Sequence, residues 1–297
     1  MDAPLASPKA ISLPDTALLY VSDYVSFVGE DHHGRVAFAL DNNRGRDGES
    51  WQAEHFVVLH DEHEGWISLE GSGSYQNSTH ELATIPPSSF FQVEGMPRTG
   101  FSITSHPNDL TLTVQPLPIR FERDHEGGRY WLGSATAQLQ WKDRTLKGRV
   151  IYEYFMMPEF NRLSRTYWGL WKHFQGLYLT IEGLGDLYVH SQESDMMEPL
   201  VGNVSGFLAV REESEPLQAL QVTLLDHRQA WGLYRWPSAW SLNWINKTAA
   251  GRALLEVKEF KTMGNWVIGG FGMGIVYGIV HYDGKEYAAY GLAELIM

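Results

Sequence analysis

Carboxylates and imidazoles set among apolar neighbours are the groups in this chain best suited to moving protons. In Val150-Ile151-Tyr152-Glu153-Tyr154-Phe155 the two-residue alternation of a strand places Glu153 on one face with Ile151 and Phe155. A carboxyl held among such neighbours loses hydration, its pKa rises, and it becomes a general acid near neutral pH. Such an acid protonates an alkene, an epoxide or an enone, and aromatic faces stabilise the cation that develops. The plainer alternative is a pair with Arg149, or water at a barrel rim. His55 shares a strand face with Trp51, Ala53, Val57 and Leu59, and Glu54 lies opposite with Phe56 and Val58. Asp226 and His227 form a further acid–imidazole pair, so the candidate catalytic residues are Glu153, His55, Asp226 and His227.

Other chemistries find little support. With 0 Cys there is no thiol nucleophile, disulfide scaffold or Cys-ligated metal. No Gly-x-Ser-x-Gly elbow is present, which argues against serine hydrolase chemistry. His60-Asp61-Glu62-His63-Glu64, with Asp31-His32-His33 upstream, is rich in ligand types, but it lacks HExxH spacing and falls on an expected hairpin tip, so no metal is assigned. Gly270-x-Gly272-x-Gly274 is not followed by a helix or by Lys-Ser/Thr and is no phosphate loop; no cofactor is assigned. The formal net charge is −13, and no block of Lys/Arg supplies the electrostatic footprint of a nucleic-acid binder.

The aromatic content is high, with 11 Trp, 14 Tyr and 13 Phe in 297 residues. Trp51, Trp131, Tyr152, Tyr154, Tyr167, Trp171 and Trp240 are the candidate ligand-binding residues, for a lipophilic small molecule held in a closed barrel.

The elements that must position these groups read as short strands and turns. Trp51–Leu59 and Trp66–Glu70 form a hairpin around the polar stretch 60–65, and Leu110, Leu112 and Val114 share one face of the next clean strand. Gln138–Trp141 pairs with Gly148–Tyr154, and Leu177–Ile181 pairs with Asp186–His190. Asp283-Gly284 between Ile279–Tyr282 and Lys285–Tyr287 is a strong hairpin signal, because both central residues of a type I′ turn need positive φ.

Two segments depart from this pattern. From Pro158 to Phe174, apolar residues recur near helical spacing beside Arg162, Arg165 and Lys172. This predicts a short helix or strap over a barrel mouth, or a transient membrane-surface contact. Gly264–Val280 is almost wholly apolar, and Gly270, Gly274 and Gly278 follow GxxxG spacing. It reads as a buried strand pair, with a membrane span as the alternative.

The order of elements in the second half resembles a known architecture. Tyr234-Arg235-Trp236-Pro237-Ser238-Ala239-Trp240-Ser241-Leu242, followed by a last hairpin ending Gly291-Leu292-Ala293-Glu294-Leu295, resembles the carboxy-terminal barrel of tandem lipocalin-like proteins. That superfamily includes carotenoid 1,2-hydratase-like and AttH-domain proteins, with fungal cyclases of polyketide chains among its relatives. The resemblance implies two antiparallel barrels in series over residues 15–297, and each half closes with an aromatic-rich hairpin carrying a Glu, at Glu153 and Glu294. Hydratase-like members carry an acidic-His-Trp segment where the first barrel closes, whereas this chain has Tyr152-Glu153-Tyr154-Phe155-Met156-Met157. Their catalytic acid is therefore not carried over.

The expectation is an all-β chain: a disordered tail over 1–14, one lipocalin-like barrel over 15–157, an amphipathic connection over 158–175 and a second barrel over 176–297. The expected function is binding of a terpenoid, polyene, polyketide or fatty acyl chain. The alternative is a cofactor-independent, acid-assisted hydratase, isomerase or cyclase. A start lacking a basic stretch before an apolar run points to a cytoplasmic protein, peripheral to the membrane if the 158–174 segment touches it; nothing sets an oligomeric state.

Overall fold

The structure is a computed structural model and describes residues 19–47, 50–71, 73–77, 90–125, 128–158, 174–192, 203–210, 213–229, 235–266 and 269–296. These residues form antiparallel strands in two sheets, with no helix among them. The first sheet contains β1 (Leu19–Asp31), β2 (Gly34–Asp47), β3 (Ser50–Asp61), β4 (Gly65–Ile67), β5 (Gly73–Asn77), β6 (Gln92–Met96), β7 (Gly100–Ser105), β8 (Leu110–Val114), β9 (Ile119–His125), β10 (Gly128–Trp141) and β11 (Arg144–Pro158). Its order is β4-β3-β2-β1-β11-β10-β8-β7-β6, with β5 on β3 and β9 on β10. The second contains β12 (Phe174–Ile181), β13 (Gly185–Gln192), β14 (Asn203–Val210), β15 (Glu213–Pro216), β16 (Gln218–Gln229), β17 (Arg235–Ile245), β18 (Ala250–Trp266), β19 (Gly269–Tyr282) and β20 (Lys285–Ile296). Its order is β15-β14-β13-β12-β20-β19-β18-β17-β16.

Both sheets curl, because strands of this length twist and only closure buries one complete face. The first sheet curls around Val25, Phe27, Phe38, Leu40, Leu112 and Leu139, and the second around Leu179, Val189, Trp240, Leu242, Trp244 and Val280. A third apolar layer lies between the sheets, where Ala39, Ile151 and Phe155 of the first meet Phe207, Ile275 and Leu292 of the second. Central strands such as β1, β11, β12 and β20 are therefore buried on both faces.

The expected hairpins form. Asp283 and Gly284 join β19 to β20 with φ of 49° and 70°, as the Asp-Gly signal required. The polar stretch after β3 is a turn in which Asp61 Oδ1 accepts the backbone N–H groups of His63 and Glu64 at 2.8 and 3.0 Å. Arg144 clamps that end of the first sheet: its Nε and Nη2 donate to Asp31 at 2.9 and 2.7 Å, and its Nη1 donates to Asp61. This guanidinium holds the Asp31 carboxyl down at about 2. The His and carboxylate residues of 31–33 and 60–64 thus serve turns and ion pairs, and no group of three potential ligands gathers among the described residues.

The described residues of 264–280 are strand, shared by the end of β18 and by β19, rather than helix. Gly278 is needed there, since a Cβ would stand 2.2 Å from the Leu254 carbonyl oxygen of the neighbouring strand. Among the described residues no helix is long and apolar enough to cross a membrane. The tail 1–14 and residues 159–173 of the amphipathic connection, Tyr167 and Trp171 included, lie outside the described residues; Pro158 ends β11 and Phe174 begins β12.

Candidate active site between the two sheets

Register builds the site. On the first sheet Tyr24 lies directly between Asp41 on β2 and Glu153 on β11, so the three stand in one row facing the second sheet. On the second sheet Tyr178 of β12 pairs with Tyr188 of β13, and Glu294 of β20 lies opposite Gly176. The local sequences explain this placement. In Leu177-Tyr178-Leu179 and Leu187-Tyr188-Val189 the aliphatic residues fill the second sheet's interior and the tyrosines point out of it. Gly176 makes room: a Cβ there would come within 2.7 Å of the Tyr178 ring, which lies across it beside Glu294.

The hydrogen bonds converge on Glu153. Its Oε2 accepts the Tyr178 hydroxyl at 2.5 Å and the Tyr188 hydroxyl at 3.0 Å. The hydroxyls of Tyr188 and Tyr130 are 2.6 Å apart, so Tyr130 extends the chain. Tyr178 also stands 3.1 Å from Glu294 Oε2. Asp41 takes the Asn43 side-chain amide at 2.7 Å, and the Tyr24 ring packs 4.5 Å from that of Tyr178. His190, also buried, sits with its ring centroid 5.3 Å from those of both Tyr130 and Tyr188 and its Nε2 3.0 Å from Ser205 Oγ.

Burial dominates the electrostatics. Desolvation lifts Glu153 to about 7 even though the tyrosine hydroxyls that bond it favour its charged form. Asp41 rises to about 7, again chiefly through burial, with the Glu153 charge adding to the push. Glu294 is driven well above the usual carboxylate range by burial, and by Asp41 and Glu153 nearby. Three carboxyls crowded into one apolar layer cannot all ionise near neutral pH, so the cluster stores protons. Glu153, Asp41 and Glu294 keep 8%, 7% and 5% exposure, whereas Tyr178 and Tyr188 keep 1% and 0%.

The residues singled out in the sequence separate into distinct places. Tyr152 and Tyr154 flank Glu153 on β11 but face the first sheet's interior, together with His55 and Trp131. Trp131 stacks on Tyr152 at 5.1 Å and 7°, and on Tyr154 at 5.5 Å and 21°. His55, held down at about 4 by burial and then by the Arg44 charge, packs edge-on against Phe91 at 5.8 Å. Trp240 lies in the second sheet's core with 0% exposure. Asp226 and His227 are exposed on β16, where Asp226 Oδ1 accepts the His227 backbone N–H at 2.8 Å. Trp51 belongs to β3, and its side chain is outside the described residues. Arg149, a possible partner for Glu153 by sequence, instead pairs with Asp186 across the sheets, 2.6 Å from Nη2 to Oδ2.

Asp41, Tyr24, Tyr178, Tyr188 and Tyr130 escape a reading based on sequence. Their signal is a polar or phenolic residue alternating with aliphatic ones on strands buried on both sides. The seam between the sheets also opens at the hairpin end as a cleft of about 430 Å³, whose lining includes Arg35, Arg149, Glu182 and Tyr290. Glu153 and Glu294 lie four residues along β11 and β20 from Arg149 and Tyr290, or about 13 Å at strand rise.

The sequence matches no protein-family model and no curated protein. Solved structures do match over nearly the whole chain. A protein described as an AttH from Nitrosomonas europaea superposes with a TM-score of 0.59 at 11% identity, covering 99% of both chains. Kievitone hydratase from Nectria haematococca gives 0.54 at 11% identity, covering 99% of this chain and 93% of that one. CghA gives 0.52 at 11% identity, with 96% and 89% covered. The chain therefore has the tandem lipocalin-like barrel fold that these proteins share.

Proposed function

We propose that this protein is a cofactor-independent acid–base enzyme of the hydratase, isomerase or cyclase type, acting on a lipophilic unsaturated small molecule. The observation that carries the reading is Glu153, a buried carboxyl raised to about 7 and bonded by two tyrosine hydroxyls at the junction of two sheets. A carboxyl balanced there gives and recovers a proton with little energetic bias. A hydratase among the structural neighbours supports the same class of chemistry.

In this reading the protonated Glu153 transfers its proton to one carbon of a substrate double bond, leaving a cation or an enol at its partner carbon. Water adds in a hydration, an adjacent C–H proton leaves in an isomerisation, or a second double bond closes a ring in a cyclisation. The proton released at the end of each route returns to the Glu153 carboxylate, so the group is restored. Tyr24, Tyr178 and Phe155 supply aromatic faces for the developing positive charge. A substrate would reach the acid where Glu153, Asp41 and Glu294 keep their small residual exposure.

The test uses deuterium. Purified protein in D2O is incubated with a panel of polyenes, prenylated phenols and polyketide enones, and the products are analysed by mass spectrometry. The reading predicts carbon-bound deuterium in at least one compound, with one water gained if the reaction is a hydration. Binding of panel members with no label in any of them would instead favour a carrier of lipophilic molecules.

A further inference from the structure

The cleft at the hairpin end of the seam takes no part in the proposed proton transfer. Its volume of about 430 Å³ lies within the roughly 300–1,000 Å³ of small-molecule sites. Register places its charges. Arg35 on β2, Glu30 on β1 and Lys147 on β11 are successive partners in one row, and Val28 and Arg149 pair in the next row inward. The second sheet lines the same cleft with Thr180 of β12, its partner Tyr290 of β20, and the turn residues Glu182 and Leu184.

The protein's own groups do not answer all of these donors. Arg35 pairs with Glu182 across the sheets and has Glu30 at 3.7 Å, and Arg149 Nη2 is 2.6 Å from Asp186 Oδ2. The Lys147 ammonium makes no ion pair or hydrogen bond among the described residues, although Glu30 is its direct neighbour across the strands. The half-buried Thr180 hydroxyl likewise has no hydrogen-bond partner among them. The cleft thus offers one free ammonium and one free hydroxyl beside the aliphatic surface of Val28 and Leu184. An acceptor carrying a single negative charge complements that set. A dianion would bring its second charge against Glu30 and Glu182, and a cation would meet Lys147 unopposed.

We propose that this cleft, outside both barrel interiors, is a binding site for a small monocarboxylate with an apolar body. The Lys147 ammonium and the Thr180 hydroxyl donate to the carboxylate, and the body lies against Val28 and Leu184. Arg149 precedes Glu153 by four residues on β11, so the site is about 13 Å from the acid and stands whether or not Glu153 is catalytic.

Equilibrium dialysis of the full chain against 4-phenylbutyrate, 4-phenylbutanol and 4-phenylbutylamine at pH 7 tests this. The carboxylate should bind at least about fivefold more tightly than the alcohol, the upper end of what an exposed charge pair returns, and the amine should bind most weakly. Lys147→Met keeps the aliphatic stem and should bring the carboxylate to within about twofold of the alcohol. Lys147 is exposed, so this change leaves the fold intact. Thr180→Val should weaken the carboxylate by about threefold, the loss of one hydrogen bond. Glu153→Gln should leave the preference for the carboxylate unchanged. Equal binding of carboxylate and alcohol by the native chain overturns the proposal, as does tighter binding of the amine. A preference that survives in Lys147→Met, or that vanishes in folded Glu153→Gln, places the carboxylate elsewhere and overturns it too.

Discussion

Glu153 and Glu294, from strands that close different barrels, meet at a single phenol: the Tyr178 hydroxyl is 2.5 Å from Oε2 of the first and 3.1 Å from Oε2 of the second. A phenol has one proton to donate. When Tyr178 donates to ionised Glu153, its contact with Glu294 is a hydrogen bond only if Glu294 is protonated and donates to the phenol oxygen. The strong upward push on Glu294 agrees with that arrangement. In the proposed reaction Glu294 would be the reserve from which Tyr178 reprotonates Glu153.

Tyr178→Phe removes this bridge and leaves the ring packing in place. Turnover should fall by about 100-fold, the lower end of the roughly 10²–10⁴-fold span ascribed to one positioned proton-transfer group. The limb of the pH–rate profile near 7 should shift as well. Tyr130→Phe, one hydroxyl further from Glu153, should have a smaller effect on both. Steady-state rates across pH check the ordering.

Gly176→Ala should mimic Tyr178→Phe without removing any polar group. The added Cβ would meet the Tyr178 ring at 2.7 Å and drive it off Glu294. Overpacking of this kind costs about 1–3 kcal/mol, which urea denaturation reads directly. Reduced turnover in protein that remains folded is the expected result.

How much of this was legible in the sequence depended on the side of the strand concerned. Alternation placed Glu153 correctly with Ile151 and Phe155, and Asp283-Gly284 marked its hairpin. The pairing of Glu153 with Glu294 had a trace in the Glu that closes each half. Period two assigns a residue to a face but does not say what that face meets. On β11 both faces are apolar, so Tyr152 and Tyr154 could not be told apart from Glu153 as neighbours of one ligand, although a sheet lies between them. The tyrosines of β12 and β13 owe their place to packing against Tyr24, Tyr130 and Glu153 of the other sheet, which no local pattern encodes.

Stability should fall as the carboxyl cluster ionises. Glu153 and Asp41 have folded pKa values raised to about 7 from 4.5 and 3.8, so their favourable contribution is complete at low pH and disappears as pH rises to about 7. His55 works in the opposite sense: its folded value of about 4 lies below the ordinary 6.5, so its contribution is lost as pH falls through that interval. The difference between native and Glu153→Gln protein isolates the acid. Glu153→Gln should be the more stable at pH 8, by up to about 3 kcal/mol, and the gap should close toward pH 4 in urea titrations.

The ion pair between Arg149 and Asp186 ties the two sheets together, with Asp186 0% exposed. Arg149→Met strands that carboxylate and should cost about 3–5 kcal/mol. Adding Asp186→Asn should recover part of the loss. Denaturation midpoints of the native, single and double variants measure this coupling.

The central claim is that Glu153 delivers the proton, and Glu153→Gln tests it most directly, because the amide keeps the shape and cannot serve as the acid. Deuterium transfer from D2O to the substrate identified in the panel should become undetectable, while the dissociation constant of that substrate stays within about twofold of the native value. Deuterium transfer at the native rate in folded Glu153→Gln protein would contradict the account.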